Sequence, residues 1–178
     1  MTAALLLASL AVGADPIASG LQTGQRPGPY SSIVSVGPQR GTSHCFICET
    51  ADRPMVVVFA RQPNDSLAKL VRGLDQQLAI HKVEELRAWV TFLSDDQLTL
   101  DPKLVKWAQD QAIKAVPLSV FEDLGGPPAY RLNRNADVTV LLAVKQKVVQ
   151  NFAFRAGELT EERIATIVKA ASALAASK

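Results

Sequence analysis

The most constraining feature of this chain is the run His44 to Arg61, HCFICETADRPMVVVFAR, in which a Cys-x-x-Cys pair stands directly in front of a continuous apolar stretch. Met55 to Ala60 is too short for an independent helix, is rich in β-branched residues and follows a proline. It therefore reads as a strand buried on both faces of a parallel sheet, the central strand of an α/β domain. The only two cysteines, Cys45 and Cys48, precede that strand. Open α/β sheets place their ligands and catalytic groups at the opposite, C-terminal end of such a strand, so the pair is displaced from the usual position.

A chain of 178 residues, 48% hydrophobic and 20% charged, is long enough to bury a core without staples and reads as one globular domain. Lys and Arg outnumber Asp and Glu by only 19 to 17, and no basic run interleaves with aromatics, which argues against a nucleic-acid partner. Residues 2 to 14, TAALLLASLAVGA, are apolar, too short to span a bilayer, and end in small residues just before Asp15. They read as a signal peptide over residues 1–14 that lacks a positive n-region. The expected protein is extracytoplasmic, with no stable membrane span after signal removal and with cysteines able to stay oxidised. Residues 15–29 follow as a flexible leader with little to bury, and residues 30–178 as the domain.

Within the domain, Tyr30 to Val36 predicts a short edge strand ending at Gly37-Pro38. Gln62 to Ser66 offers N-caps for a helix whose apolar face is Leu67, Leu70, Val71, Leu74 and Leu78. Leu86 to Leu93 is the next strand, and Asp101-Pro102 predicts a helix start with proline at its first position. Pro117 to Phe121 is a further strand, with a turn at Tyr130. Val138 to Val144 and Val148 to Phe154 form an antiparallel hairpin whose connection lacks the favoured glycine. A last helix begins at Thr160, with Glu161 and Glu162 in its first turn and Leu159 stapled onto Ile164.

This order, together with the stretches PLSVFED, AYRL and VTVLLAVKQKVVQNF, resembles the thioredoxin-like fold, nearest its peroxiredoxin and extracytoplasmic thiol-disulfide reductase (redoxin) branch. The resemblance implies a three-layer sandwich, a mixed central sheet with helices on both faces, and a protein thiol or disulfide as the substrate. It also implies a catalytic cysteine just after the central strand, where the helix N-terminus lowers its pKa. That place here reads Arg61-Gln62-Pro63-Asn64-Asp65-Ser66, without cysteine. Asp137 stands where the branch has a cis-proline or an arginine facing the sulfur. Peroxide chemistry is therefore not expected, and Arg61 with Asp137 reads as a solvated ion pair.

For Cys45 and Cys48 the residues leave several readings open. A relocated redox pair would exchange with substrate disulfides, with Cys45 as the candidate nucleophile because His44 stands beside it to assist, and Cys48 as the resolving thiol. A structural disulfide closing so small a loop would contribute only about 2 kcal/mol. Buried free cysteines are the third reading. A copper or zinc site would draw on His44, Cys45 and Cys48 with His81, although a second Cys pair is missing. His81 alone reads as a helix-terminal cation or a solvated side chain. No cofactor is implied, and Trp89 and Trp107 fit core and helix-face positions. Two functions follow: a thiol-disulfide oxidoreductase, or a non-catalytic binding domain that kept the fold.

Overall fold

The computed structural model describes residues 15–176, so the signal-peptide reading over residues 1–14 lies outside the described residues. The strands are β1 (Ser32–Val36), β2 (Ser43–His44), β3 (Met55–Ala60), β4 (Arg87–Leu93), β5 (Leu118–Phe121), β6 (Val138–Val144) and β7 (Lys147–Phe154). The helices are α1 (Phe46–Thr50), α2 (Asp65–Ile80), α3 (Gln97–Asp110) and α4 (Glu161–Ala176), with a 3-10 turn at Pro128–Tyr130. All seven strands form one sheet in the order β2-β1-β5-β4-β3-β6-β7. β3, β4 and β5 run parallel, and the other pairs are antiparallel. The predicted central strand is thus flanked by β4 and β6, and every one of its residues is buried.

Alternation along β3 explains why this strand is apolar throughout. Val56, Val58 and Ala60 face the layer built by α2, α3 and α4, whose Leu67, Leu70, Leu104, Ile167 and Ala171 complete that core. Met55, Val57 and Phe59 face the opposite layer, with Trp89, Tyr30, Tyr130, Phe46 and Ile47. The three long helices therefore share one face, and the other is covered by α1, the 3-10 turn and extended chain. On the helical side α2 and α4 pack closely at Gly73, where a Cβ would stand 2.6 Å from Val168 Cγ2.

Three local expectations are corrected. Helix α3 begins a turn early, because the Asp96 carboxylate accepts the Thr99 N–H at 3.0 Å and caps it there. Pro102 then falls inside the helix rather than at its first position. His81 is not solvated: it is buried at the end of α2, and its Nε2 pairs with Ser172 Oγ of α4 at 2.9 Å. Segment 15–29 has no helix or strand but does bury surface. Asn151 Nδ2 donates to the carbonyls of Ser19 and Leu21 at 2.8 and 2.7 Å, and Gly24 N–H donates to Val148 O at 2.7 Å, which lays the segment along β7.

The β6–β7 connection turns on Lys145 and Gln146, both left-handed at φ 51° and 56° without a glycine. What holds them is Asp52, whose carbonyl accepts Lys145 N–H at 3.0 Å and whose carboxylate accepts Gln146 Nε2 at 2.7 Å. That ties the loop after α1 to the hairpin and fixes where the cysteine-bearing segment enters β3.

Candidate functional site

The Cys-x-x-Cys pair is carried by α1, and local sequence explains its placement. His44 pairs with Ser32 at the β2 edge of the sheet, and the chain then turns inward over the face opposite the long helices. Phe46 stacks on Trp89 with ring centroids 5.4 Å apart, and Ile47 is buried beside it. These two residues anchor the helix, and the cysteines stand on either side of them in sequence. At the far end Arg53 donates to the carbonyls of Thr50, at 3.0 Å, and Glu49, closing the short helix. A cleft of about 380 Å³ opens beside this segment, walled by Phe46, Glu49, Thr50, Pro38, Leu86 and Trp89.

Cys45 and Cys48 are joined in a disulfide, their Cα atoms 5.3 Å apart, so the reading as two free thiols does not apply to this state. Cys45 is the helix N-cap, and its Sγ accepts the Cys48 N–H at 3.2 Å. The two cysteine residues differ in exposure. Cys45 is half-buried against the apolar cluster that holds Phe46, whereas Cys48 is exposed. His44 makes its hydrogen bond with Glu49, Nε2 to Oε2 at 2.7 Å, and sets its ring against the Phe46 edge at 4.6 Å. It bonds to neither sulfur. His81 lies in the seam between α2 and α4, on the other side of the sheet. Among the described residues no group of three His, Cys, Asp or Glu side chains is placed to hold a metal ion.

A polar chain missed by sequence reasoning runs beneath α1. Trp89 Nε1 donates to Tyr30 Oη at 2.9 Å, Tyr30 Oη pairs with Thr91 Oγ1 at 2.8 Å, and Thr91 Oγ1 lies 3.3 Å from Ser119 Oγ. Ser32 Oγ extends it at 2.8 Å from Ser119 Oγ. Burial pushes the Tyr30 hydroxyl up to about 12, with its bonds to Thr91 and Trp89 opposing the rise, so it stays neutral at physiological pH. The chain fixes the floor on which Phe46 rests. Its sequence signal was polar residues at inward positions of otherwise apolar strands.

The C-terminal end of β3 is built differently. Asn64 caps α2 by accepting the Leu67 N–H at 2.9 Å. Arg61 turns its guanidinium onto three backbone carbonyls, Leu124 at 2.8 Å, Ala136 at 2.9 Å and Asn133 at 3.2 Å. The expected ion pair with Asp137 is therefore corrected: their closest bond is Arg61 N–H to the Asp137 carbonyl at 3.1 Å, and the Asp137 carboxylate meets Asn64 Nδ2 at 3.5 Å. Burial lowers the Arg61 pKa and raises that of Asp137, and each is partly offset by the other's charge. This end of the strand is a junction of backbone carbonyls around one cation, with no sulfur.

No protein-family model matches the sequence, and no curated protein matches it. Solved structures do match. A candidate protein disulfide isomerase of Bacteroides thetaiotaomicron superposes with a TM-score of 0.68 at 13% identity, over 90% of this chain and 96% of that one. The peroxidoxin BcpB of Mycobacterium tuberculosis gives 0.60 at 17% identity, over 89% and 99%. A secreted disulfide oxidoreductase of the same organism, homologous to E. coli DsbE, gives 0.57 at 10% identity, over 79% and 95%. Among the described residues no helix is long and apolar enough to cross a membrane. With its mixed sheet, its covering layers and these superpositions, the chain has the thioredoxin-like fold, and its cysteine pair lies on the short helix that precedes the central strand.

Proposed function

We propose that this protein is a thiol-disulfide oxidoreductase acting outside the cytoplasm on protein thiols or disulfides, with Cys45 and Cys48 as its redox pair. The observation that carries this reading is a disulfide held on a surface helix whose anchors, Phe46 and Ile47, are buried independently of the sulfurs. Opening the S–S bond leaves those anchors in place, so the pair can cycle without disturbing the core. His44 contributes by holding Glu49 across the first turn of α1, which keeps the segment in register while the bond is open. The thioredoxin-like fold and its disulfide-exchanging neighbours add weight by analogy.

The test is the reduction potential of the pair. Structural disulfides typically lie below about −300 mV and working ones above. A value near −200 mV with turnover of insulin disulfides supports the reading. A value well below −300 mV without turnover replaces it with a second one, a binding domain stapled by a structural disulfide. That second reading draws on the carbonyl junction around Arg61, which occupies the place of a thioredoxin-type active site. The extracytoplasmic assignment has its own check: protein recovered from its host should begin near Asp15, and an intact Met1 in a cytoplasmic fraction would remove it.

A further inference from the structure

We infer that Cys48 is the sulfur that exchanges with substrate and that Cys45 is the leaving and resolving thiol, the reverse of the order suggested by the neighbouring His44. The inference rests on the oxidoreductase reading and adds to it the direction of attack.

Thiol-disulfide exchange is a nucleophilic displacement along the S–S axis, so an incoming thiolate must reach one sulfur from the side away from the other. Cys48 is exposed, whereas Cys45 packs against the cluster containing Phe46 and Trp89. Approach to Cys48 starts in solvent. Departure is also asymmetric, because the sulfur that leaves must carry negative charge. Cys45 Sγ already accepts the Cys48 N–H at 3.2 Å, and that donor stays in place when the S–S bond breaks. A fixed N–H donor favours the thiolate and lowers its pKa, which makes Cys45 the better leaving group. Among the described residues Cys48 Sγ accepts no hydrogen bond. His44, engaged with Glu49, does not alter this order.

In the oxidised protein a substrate thiolate R–S⁻ attacks Cys48 Sγ. The Cys48–S–S–R bond forms, the Cys45–Cys48 bond breaks, and Cys45 leaves as the thiolate. A second substrate thiolate then attacks the R sulfur, giving the disulfide R–S–S–R and the Cys48 thiolate. Two electrons pass from the substrate thiols to the protein, and the two substrate protons end on Cys45 and Cys48. In the opposite direction the Cys48 thiolate attacks a substrate disulfide and Cys45 resolves the mixed disulfide.

The experiment uses glutathione as the probe. Oxidised wild-type protein is mixed with limiting reduced glutathione, quenched in acid at early times and mapped by peptide mass spectrometry. In parallel, Cys45→Ser and Cys48→Ser, each checked by circular dichroism, are reacted with oxidised glutathione, and their thiolate absorbance is titrated against pH. The expected results are early adducts on Cys48 and, once each rate is divided by the thiolate fraction read from the titration, a rate for Cys45→Ser on the order of tenfold above that for Cys48→Ser. The remaining thiol of Cys48→Ser should show the lower pKa. Adducts first on Cys45, or equal rates in the two variants, would overturn the order while leaving the redox function standing. A wild-type disulfide that glutathione does not open, with both single thiols inert, would sink the oxidoreductase reading and the inference together.

Discussion

The C-terminal end of β3 and the N-terminal end of α1 make an instructive pair. The first has the architecture that thioredoxin-like chemistry uses, a buried strand delivering its last residues to a capped helix, but it presents Arg61, Asn64 and Asp137. The second has the sulfurs on a helix of five residues that follows the edge strand β2 and packs on the face of the sheet. Three strands, β1, β5 and β4, separate β2 from β3, so His44 stands roughly 20 Å across the sheet from the end of β3. The chemistry of a disulfide needs access and a local anchor, and α1 supplies both. The site's position in the fold is a separate matter. The end of β3 is a structural junction, where a helix N-terminus and a set of turning carbonyls must be satisfied whether or not a thiol is present.

The comparison is broken most directly at the cysteines. Cys45→Ser and Cys48→Ser should each lower insulin-disulfide reduction by about two orders of magnitude while costing at most about 2 kcal/mol of stability, the loop-entropy value for so short a closure. A large stability loss with no activity in any form would move the pair to the structural side. Next is Arg61→Ala, which strips a charged donor from three carbonyls at once. A loss of about 2–4 kcal/mol in urea denaturation is expected, with insulin reduction unchanged, since charge-assisted bonds contribute roughly 1.5–3 kcal/mol each and do not add fully. Equal loss of activity would tie the two regions together.

A smaller effect is expected at Asp137, whose carboxyl is raised by burial, with Arg61 and Asn64 opposing. A raised folded-state pKa means that the protonated form favours folding. Its contribution is complete below the unfolded value of about 4 and is lost as pH rises through the folded value. Asp137→Asn should therefore be slightly more stable than wild type at neutral pH, by under about 1 kcal/mol at this half-exposed position, and the gain should vanish below about pH 4. Denaturant midpoints across that range would show it. Last comes an unchanged reading: with no thiol at the end of β3, Cys45→Ser/Cys48→Ser should turn over no peroxide, and activity surviving in that double variant would place the chemistry elsewhere.

Most of the fold was legible because it rests on periodicity. The unbroken apolar run of β3, the helical spacing from Leu67 to Leu78 and the twin strands of the β6–β7 hairpin each specify an element without tertiary help. Competing caps were less legible. Asp96 and Asp101 both offer a carboxylate ahead of a helix, and only the structure shows that Asp96 captures the Thr99 N–H first. Side-chain partners were the least legible. Arg61 next to Asp137 suggests opposite charges meeting, yet backbone carbonyls brought in from Leu124, Ala136 and Asn133 outcompete the carboxylate. The cysteine pair was found by its spacing. The difference in burial between its two residues depends on Phe46 finding Trp89, a contact between residues far apart in the chain.

The strap formed by residues 15–29 decides how this sheet meets its surroundings. By exchanging backbone hydrogen bonds with Val148, through Gly24 and Gln25, and taking the Asn151 side chain on the carbonyls of Ser19 and Leu21, it lies against the eight-residue β7, a long edge that would otherwise invite another strand. At the opposite margin β2 is only two residues long and passes at once into α1. One margin is shielded by the chain's own N-terminal segment and the other is too short to template a partner. Both margins are thereby poor templates for strand addition by another molecule.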